Sequence, residues 1–251
     1  MKTENNISVD RVTLDSLVFF YFGVTLDEDV DDILDRIVEK AYADATILGA
    51  FKLNADPENA SRAKDGVNGN TGSKRELINQ LHLLMQEKCQ DFDNWHKGTC
   101  EKLVSIYENC GFKDIFTYGN AQKWINMSLK YIYLLGGISE TYESKFICMA
   151  KTIRKYSSEL HVPIDSFIID ALWEFKEISL PEKEDKKANS KADCQIPRGN
   201  VKTWSKWDDG DYCGIQELIR EKVTNSPIEW EAYAWIERAK KRRRHYKVDK
   251  G

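Results

Sequence analysis

No apolar run in this chain is long enough to cross a bilayer. The longest, Leu17 to Val24, falls far short of the roughly 20 residues a spanning helix needs. The opening residues, Met1 to Asp10, are polar and lack the basic start and apolar core of an export signal, so a cytoplasmic protein with no membrane partner is expected. Paired cysteine spacing is missing too. Cys89, Cys100, Cys110, Cys148, Cys194 and Cys213 form neither a metal-ligand pattern nor a compact disulfide framework. Four of them fall inside helical patterns, where a free thiol behaves as a small buried hydrophobe. The expectation is a reducing compartment, with no structural zinc, no iron–sulfur cluster and no other cofactor. There is no phosphate-cradling glycine loop, no nucleophile elbow and no zinc-type His/Glu helix, which argues against nucleotide hydrolysis and metalloprotease chemistry. An excess of positive charge is also lacking. The net charge of −4 offers no global attraction to nucleic acid, so such binding needs a local basic face. One exists near the C-terminus, in Lys240, Lys241, Arg242, Arg243, Arg244 and Lys247.

What is present is helix. A chain of 251 residues, 41% hydrophobic and 31% charged, supports a real core under a well-solvated surface. Val30, Ile33, Leu34, Ile37, Val38, Ala41 and Tyr42 recur at helical intervals, and Thr25 with Glu28 resembles a capping box ahead of them. The acids from Asp27 to Asp32 lack the glycine and late glutamate of a calcium loop and suit a helix N-terminus. Further helical patterns start at Leu77 and at Trp95, then run from about Asn120 to Leu135, Thr141 to Leu160, Pro163 to Phe175, Gly214 to Val223 and Ile228 to Tyr246. Asn54 to Ser73 is rich in Asn, Gly, Asp and Ser and reads as a long loop. A little strand is allowed for near Leu17 to Val24, and there is no internal repeat. The predicted class is all-α: a multi-helix globular body over 1–179, an exposed connector over 180–201, and a C-terminal helical appendage over 202–251 with its basic tail.

Two elements carry possible chemistry. From Ala121 to Leu135 most of the helical circumference is apolar, and the remaining stripe holds Gln122, Lys123, Asn126, Lys130 and Tyr133. Such a stripe faces either bulk water, its ordinary destination, or a cleft. The second element is His161-Val162-Pro163-Ile164-Asp165-Ser166. There Asp165 or Ser166 serves as an ordinary N-cap worth about 1 kcal/mol.

Ala121-Gln122-Lys123, with Lys130-Tyr131 beyond it and Pro163-Ile164-Asp165-Ser166 opening a helix, resembles the helix-hairpin-helix DNA glycosylases. The likeness is to their archaeal 8-oxoguanine branch and covers about Phe116 to Trp173. What the resemblance implies is a lysine nucleophile at Lys123 and a catalytic aspartate at Asp165. A neutral lysine attacks the sugar C1′, displaces the damaged base and leaves a Schiff base that can eliminate the 3′ phosphate. The neighbouring carboxylate assists proton transfer and stabilises developing positive charge. The substrate is then DNA with one base turned out of the stack. Trp124, Tyr131 and Trp173 are candidate stacking residues, with core aromatics as the alternative. Gln122, Asn126, Lys130, Arg242, Arg243 and Arg244 are candidate nucleic-acid contacts.

Two other readings compete. Arg154 and His161, separated by six residues, are similar to the loose motif of HEPN ribonucleases, in which these residue types act on an RNA phosphodiester. Alternatively, the protein binds nucleic acid or a protein partner without catalysis. Its basic tail would contact phosphates, and Trp204 and Trp207 would either stack on single strands or anchor the last helices.

Overall fold

A computed structural model describes residues 10–46, 56–67, 70–138, 142–174, 180–183, 200–223 and 226–248; of these, 46, 70 and 242–248 are described by backbone alone. The architecture is all-α. Ten helices follow in order among the described residues: α1 Arg11–Phe22, α2 Val30–Thr46, α3 Pro57–Asp65, α4 Ser73–Met85, α5 Phe92–Asn109, α6 Tyr118–Gly136, α7 Lys145–Ile153, α8 Ser166–Leu172, α9 Asp209–Lys222 and α10 Pro227–Val248. No described helix is long and apolar enough to cross a membrane.

Local chemistry explains most of the boundaries that the periodicity misplaced. The region expected to be a loop over Asn54 to Ser73 contains α3, because the Asp56 carboxylate accepts from Asn59 N at 3.0 Å and Pro57 fills the first turn. A two-residue hairpin follows, β1 Gly66–Val67 against β2 Asn70–Thr71. Leu17 to Phe22 is helix rather than strand; α1 is capped by Asp10 and closed by Gly23 at φ 78°. Thr25 N does donate to Glu28 Oε1 at 2.7 Å, yet α2 begins only at Val30, so the pair closes a turn instead of a helix. The Thr141–Leu160 pattern narrows to α7, starting after the Ser144 cap and ending in a 3-10 turn over Arg154–Tyr156. Pro163 lies outside α8. It biases Val162 toward extended backbone, and the helix starts where Asp165 Oδ1 accepts from Phe167 N and Ile168 N. Phe175, the expected end of that helix, lies outside the described residues.

α6 is the centre of the molecule. Most of its residues are buried, and it packs on α2, α5 and α7. Trp124 is wholly enclosed, with its indole N–H donating to Val38 O at 2.9 Å. Close approach is possible because glycines sit where neighbours touch the helix. A Cβ on Gly119 would lie 2.3 Å from Trp204 O, and one on Gly136 would lie 2.6 Å from Ala150 O.

A second hydrophobic cluster joins Val162, Ile164, Ile168 and Leu172 to Val201, Trp207, Tyr212, Ile215 and Ile219. The division at residue 180 between body and appendage therefore cuts through a core. The end of the supposed connector is pinned as well: Leu180 is buried, and Lys183 N donates to Asn200 O at 2.9 Å. Residues 184–199, Cys194 among them, lie outside the described residues. The other five cysteines are free thiols, and no group of three or more metal-ligating side chains occurs among the described residues.

Candidate functional site

The polar stripe of α6 meets neither bulk water nor a single cleft; it divides. Gln122 and Asn126 are completely buried, facing the segment before α8 and the helix α9. Gln122 Nε2 donates to Gly119 O at 2.9 Å. Asn126 Nδ2 reaches Tyr212 Oη at 2.6 Å, and Asn126 Oδ1 lies 2.9 Å from His96 Nε2. Gln216 completes the seam by bracketing Val162, accepting from its N–H at 2.9 Å and donating to its carbonyl at 2.8 Å. The seam satisfies backbone groups that burial would otherwise leave without partners. Gln122 and Asn126 are thus structural glue, and no nucleic acid can reach them.

Lys123 and Lys130 take the other half of the stripe, into a cleft of about 440 Å³ lined also by Tyr21, Asp44, Met127, Tyr131, Asp165, Glu231 and Trp235. Lys123 Nζ lies 2.8 Å from Asp165 Oδ2, joining residues 42 apart in the chain. The same carboxylate oxygen accepts from Trp235 Nε1 at 3.3 Å, while Oδ1 is taken by the first backbone amides of α8. Burial pushes the Asp165 acid toward its neutral form, but Lys123 and the two amides outweigh it and hold the pKa below the usual range. Asp165 is a fixed anion. It is also the N-cap, so the two readings of that residue coexist.

Lys130 Nζ sits 2.5 Å from Glu231 Oε2, at an angle that makes an ion pair rather than a hydrogen bond. Glu231 is only 1% exposed. Burial raises its pKa, against the opposing pull of Lys130. On the far wall, Tyr131 donates to Asp44 and meets Tyr21 hydroxyl to hydroxyl at 3.0 Å. Lys40 pairs with Asp44 at 2.8 Å, from 4.7 Å above the Tyr21 ring.

The cleft is therefore not the positively lined groove that phosphate recognition favours: it holds Lys123 and Lys130 against Asp44, Asp165 and Glu231. Lys130, expected to contact nucleic acid, is already neutralised by Glu231. Of the expected stacking residues, Tyr131 lines the cleft; Trp124 is sealed in the core, and Trp173 packs against the second cluster. The side chains of Arg242, Arg243 and Arg244 lie outside the described residues.

Arg154 and His161 serve separate structural ends. Arg154 donates to Tyr133 O at 3.2 Å and covers the Tyr133 ring. His161 is buried, with Nε2 2.8 Å from an Asp93 carboxylate that Arg220 also grips. Burial lowers the His161 pKa, which favours the neutral ring.

Besides Tyr21 and Asp44, the cleft residues that the sequence reading missed are Glu231 and Trp235. The one available signal was their i, i+4 spacing, which puts a carboxylate and an indole on one face of an aromatic-rich helix. Comparisons with protein-family models, with curated proteins and with solved structures found no match to this chain.

Proposed function

We propose that the cleft is the active site of a DNA glycosylase/AP-lyase-like enzyme in which Lys123 is the nucleophile and Asp165 its counter-ion. The observation that carries the reading is the 2.8 Å approach of the Lys123 amine to the Asp165 carboxylate inside a cleft of ligand-binding size. Its walls offer the rings of Tyr21, Tyr131 and Trp235 to a planar base. Asp165 acts as an electrostatic partner rather than a general base, because its four donors keep it ionised. From that position it stabilises positive charge on a sugar losing its base, and then the iminium on Lys123.

The acid balance of the cleft supports a reading in which phosphate contact lies outside it. Arg242 lies seven residues beyond Trp235 on α10, so two helical turns, roughly 10 Å, separate the cleft wall from the start of the arginine run. Backbone binding through that segment makes affinity fall steeply with salt.

Borohydride trapping on DNA carrying an abasic site or an oxidised base tests the proposal. Wild type forms a covalent adduct, Lys123→Ala forms none, and Asp165→Asn forms it slowly. Absence of a wild-type adduct on every lesion tried refutes the lysine chemistry. A non-catalytic binding protein would then be favoured, a reading supported by the exposed side chains of Leu17, Phe19 and Phe20 on α1 and of Tyr233 and Ile236 on α10.

A further inference from the structure

A lysine held against a carboxylate is an ammonium ion, and an ammonium ion is no nucleophile. Its proton has to go somewhere before any carbon–nitrogen bond can form. Asp165 is the nearest oxygen, yet both of its oxygens are already occupied by donors. The cleft contains a second buried carboxylate in a different condition. Glu231 is the fifth residue of α10, just past the first-turn amides that are free to donate. Its Oε2 is buried without a hydrogen bond, facing only the misaligned ammonium of Lys130. The other charged or titratable groups lining the cleft are Lys123 and Tyr131 from α6, Asp165 from the cap of α8, Asp44 from α2 and Tyr21 from α1. Lys123 and Asp165 both act electrostatically on Glu231.

We infer that Glu231 is the proton acceptor that frees the Lys123 amine, an inference that rests on reading Lys123 as the nucleophile. The two carboxylates divide the work by environment: many donors hold Asp165 as the anion, while burial pushes Glu231 toward its neutral form against the pull of Lys130 and Lys123. In the transfer an N–H bond of Lys123 breaks and an O–H bond on Glu231 forms, relayed by one water in the cleft, because the nearest carboxylates to Lys123 and Lys130 are Asp165 and Glu231 respectively. The transfer leaves the Asp165 anion and the Lys130 ammonium as the charged pair of the cleft. The neutral amine then adds to an electrophilic carbon. Where that carbon is an aldehyde, water leaves and the imine nitrogen takes the proton back from Glu231 to give the iminium. Nothing is oxidised or reduced in these steps.

The test needs no DNA. Propionaldehyde and cyanoborohydride are added to the intact protein across a pH series, and modification of each lysine is followed by peptide mass spectrometry. Cyanoborohydride supplies the hydride that fixes the iminium. In wild type, Lys123 is labelled near neutral pH faster than the exposed lysines. In Glu231→Gln its labelling slows roughly 100-fold at neutral pH and recovers as the pH rises toward the ordinary lysine range. Glu231→Gln combined with Lys130→Met shows the same shifted profile, because the effect does not come from leaving Lys130 unpaired. Identical Lys123 pH profiles in wild type and Glu231→Gln overturn the role of Glu231 and leave the nucleophile standing. A wild-type Lys123 that stays unlabelled while exposed lysines react overturns both.

Discussion

One helix supplies two polar regions that behave as opposites. On one side of α6, Gln122 and Asn126 enter a sealed seam with His96, Tyr212 and Gln216, where neutral groups satisfy one another and the backbone. On the other, Lys123 and Lys130 enter an open cleft and meet Asp165 and Glu231. The neighbours Gln122 and Lys123 diverge because about 100° of helical rotation separates them. The lesson is that a polar stripe on a mostly apolar helix is not one functional unit. Uncharged amides are tolerated inside because each can be fully hydrogen-bonded, whereas the charges of the cleft are held in opposite pairs. Stability should reside in the seam and chemistry in the cleft.

Variants can break or sharpen that contrast. The largest expected effect is in the seam: Asn126→Ala leaves the Tyr212 hydroxyl and the His96 ring without their partner. It should cost about 2–3 kcal/mol in urea denaturation. A loss below about 0.5 kcal/mol would mean the seam is not a stabilising unit.

Acid comes next. Burial holds the pKa values of His96 and His161 below the ordinary histidine value, so both rings gain protons on unfolding. Their contribution is present above the unfolded value near 6.5 and is lost as pH falls toward the lower folded values. Lowering pH from about 7.5 to about 5.5 should therefore cost up to about 1.4 kcal/mol per ring, and His96→Gln should flatten the dependence. Glu231 has the opposite sign. Its raised pKa makes the folded state bind the proton more tightly, so its term favours folding as pH falls through the folded value. An acid profile unchanged in His96→Gln would remove the buried histidines from the explanation.

The smallest stability effect belongs to the cleft. Lys123→Met should cost about 1–2 kcal/mol, less than the roughly 3–5 kcal/mol usual on breaking a buried ion pair, because Asp165 keeps its two backbone amides and Trp235 as donors. The same variant should lose adduct formation completely. A stability loss as large as that of Asn126→Ala would make Lys123 part of the scaffold and erase the contrast.

The fold was largely legible where the apolar period was long and its ends were marked. α6, read from its apolar period as about Asn120 to Leu135, runs Tyr118–Gly136, and the structure adds a reciprocal cap between Thr117 and Asn120 that moves its start two residues earlier. Short elements escaped. α3 was hidden by its loop-like composition although Asp56-Pro57 signalled its start, and Pro163 suggested an earlier start for α8 than the Asp165 cap dictates. The candidate site was only half legible. Lys123 and Asp165 were singled out from the chain, while Glu231 and Trp235 were not, since nothing in a helical pattern says which distant helix will close over a cleft.

What the sequence determined by itself was therefore local: helical periods, caps, the glycines that let backbones touch, and the polar stripe along α6. These depend on neighbours a few residues apart. Only the tertiary structure decided which half of the stripe was sealed and which stayed open. It also decided that Val162 to Leu172 shares a core with Trp207 to Ile219, and that two lysines answer to three carboxylates in the cleft. Those outcomes rest on contacts across 40 to 110 residues, as between Lys123 and Asp165 or Tyr21 and Tyr131, whose partners are selected by packing rather than by spacing.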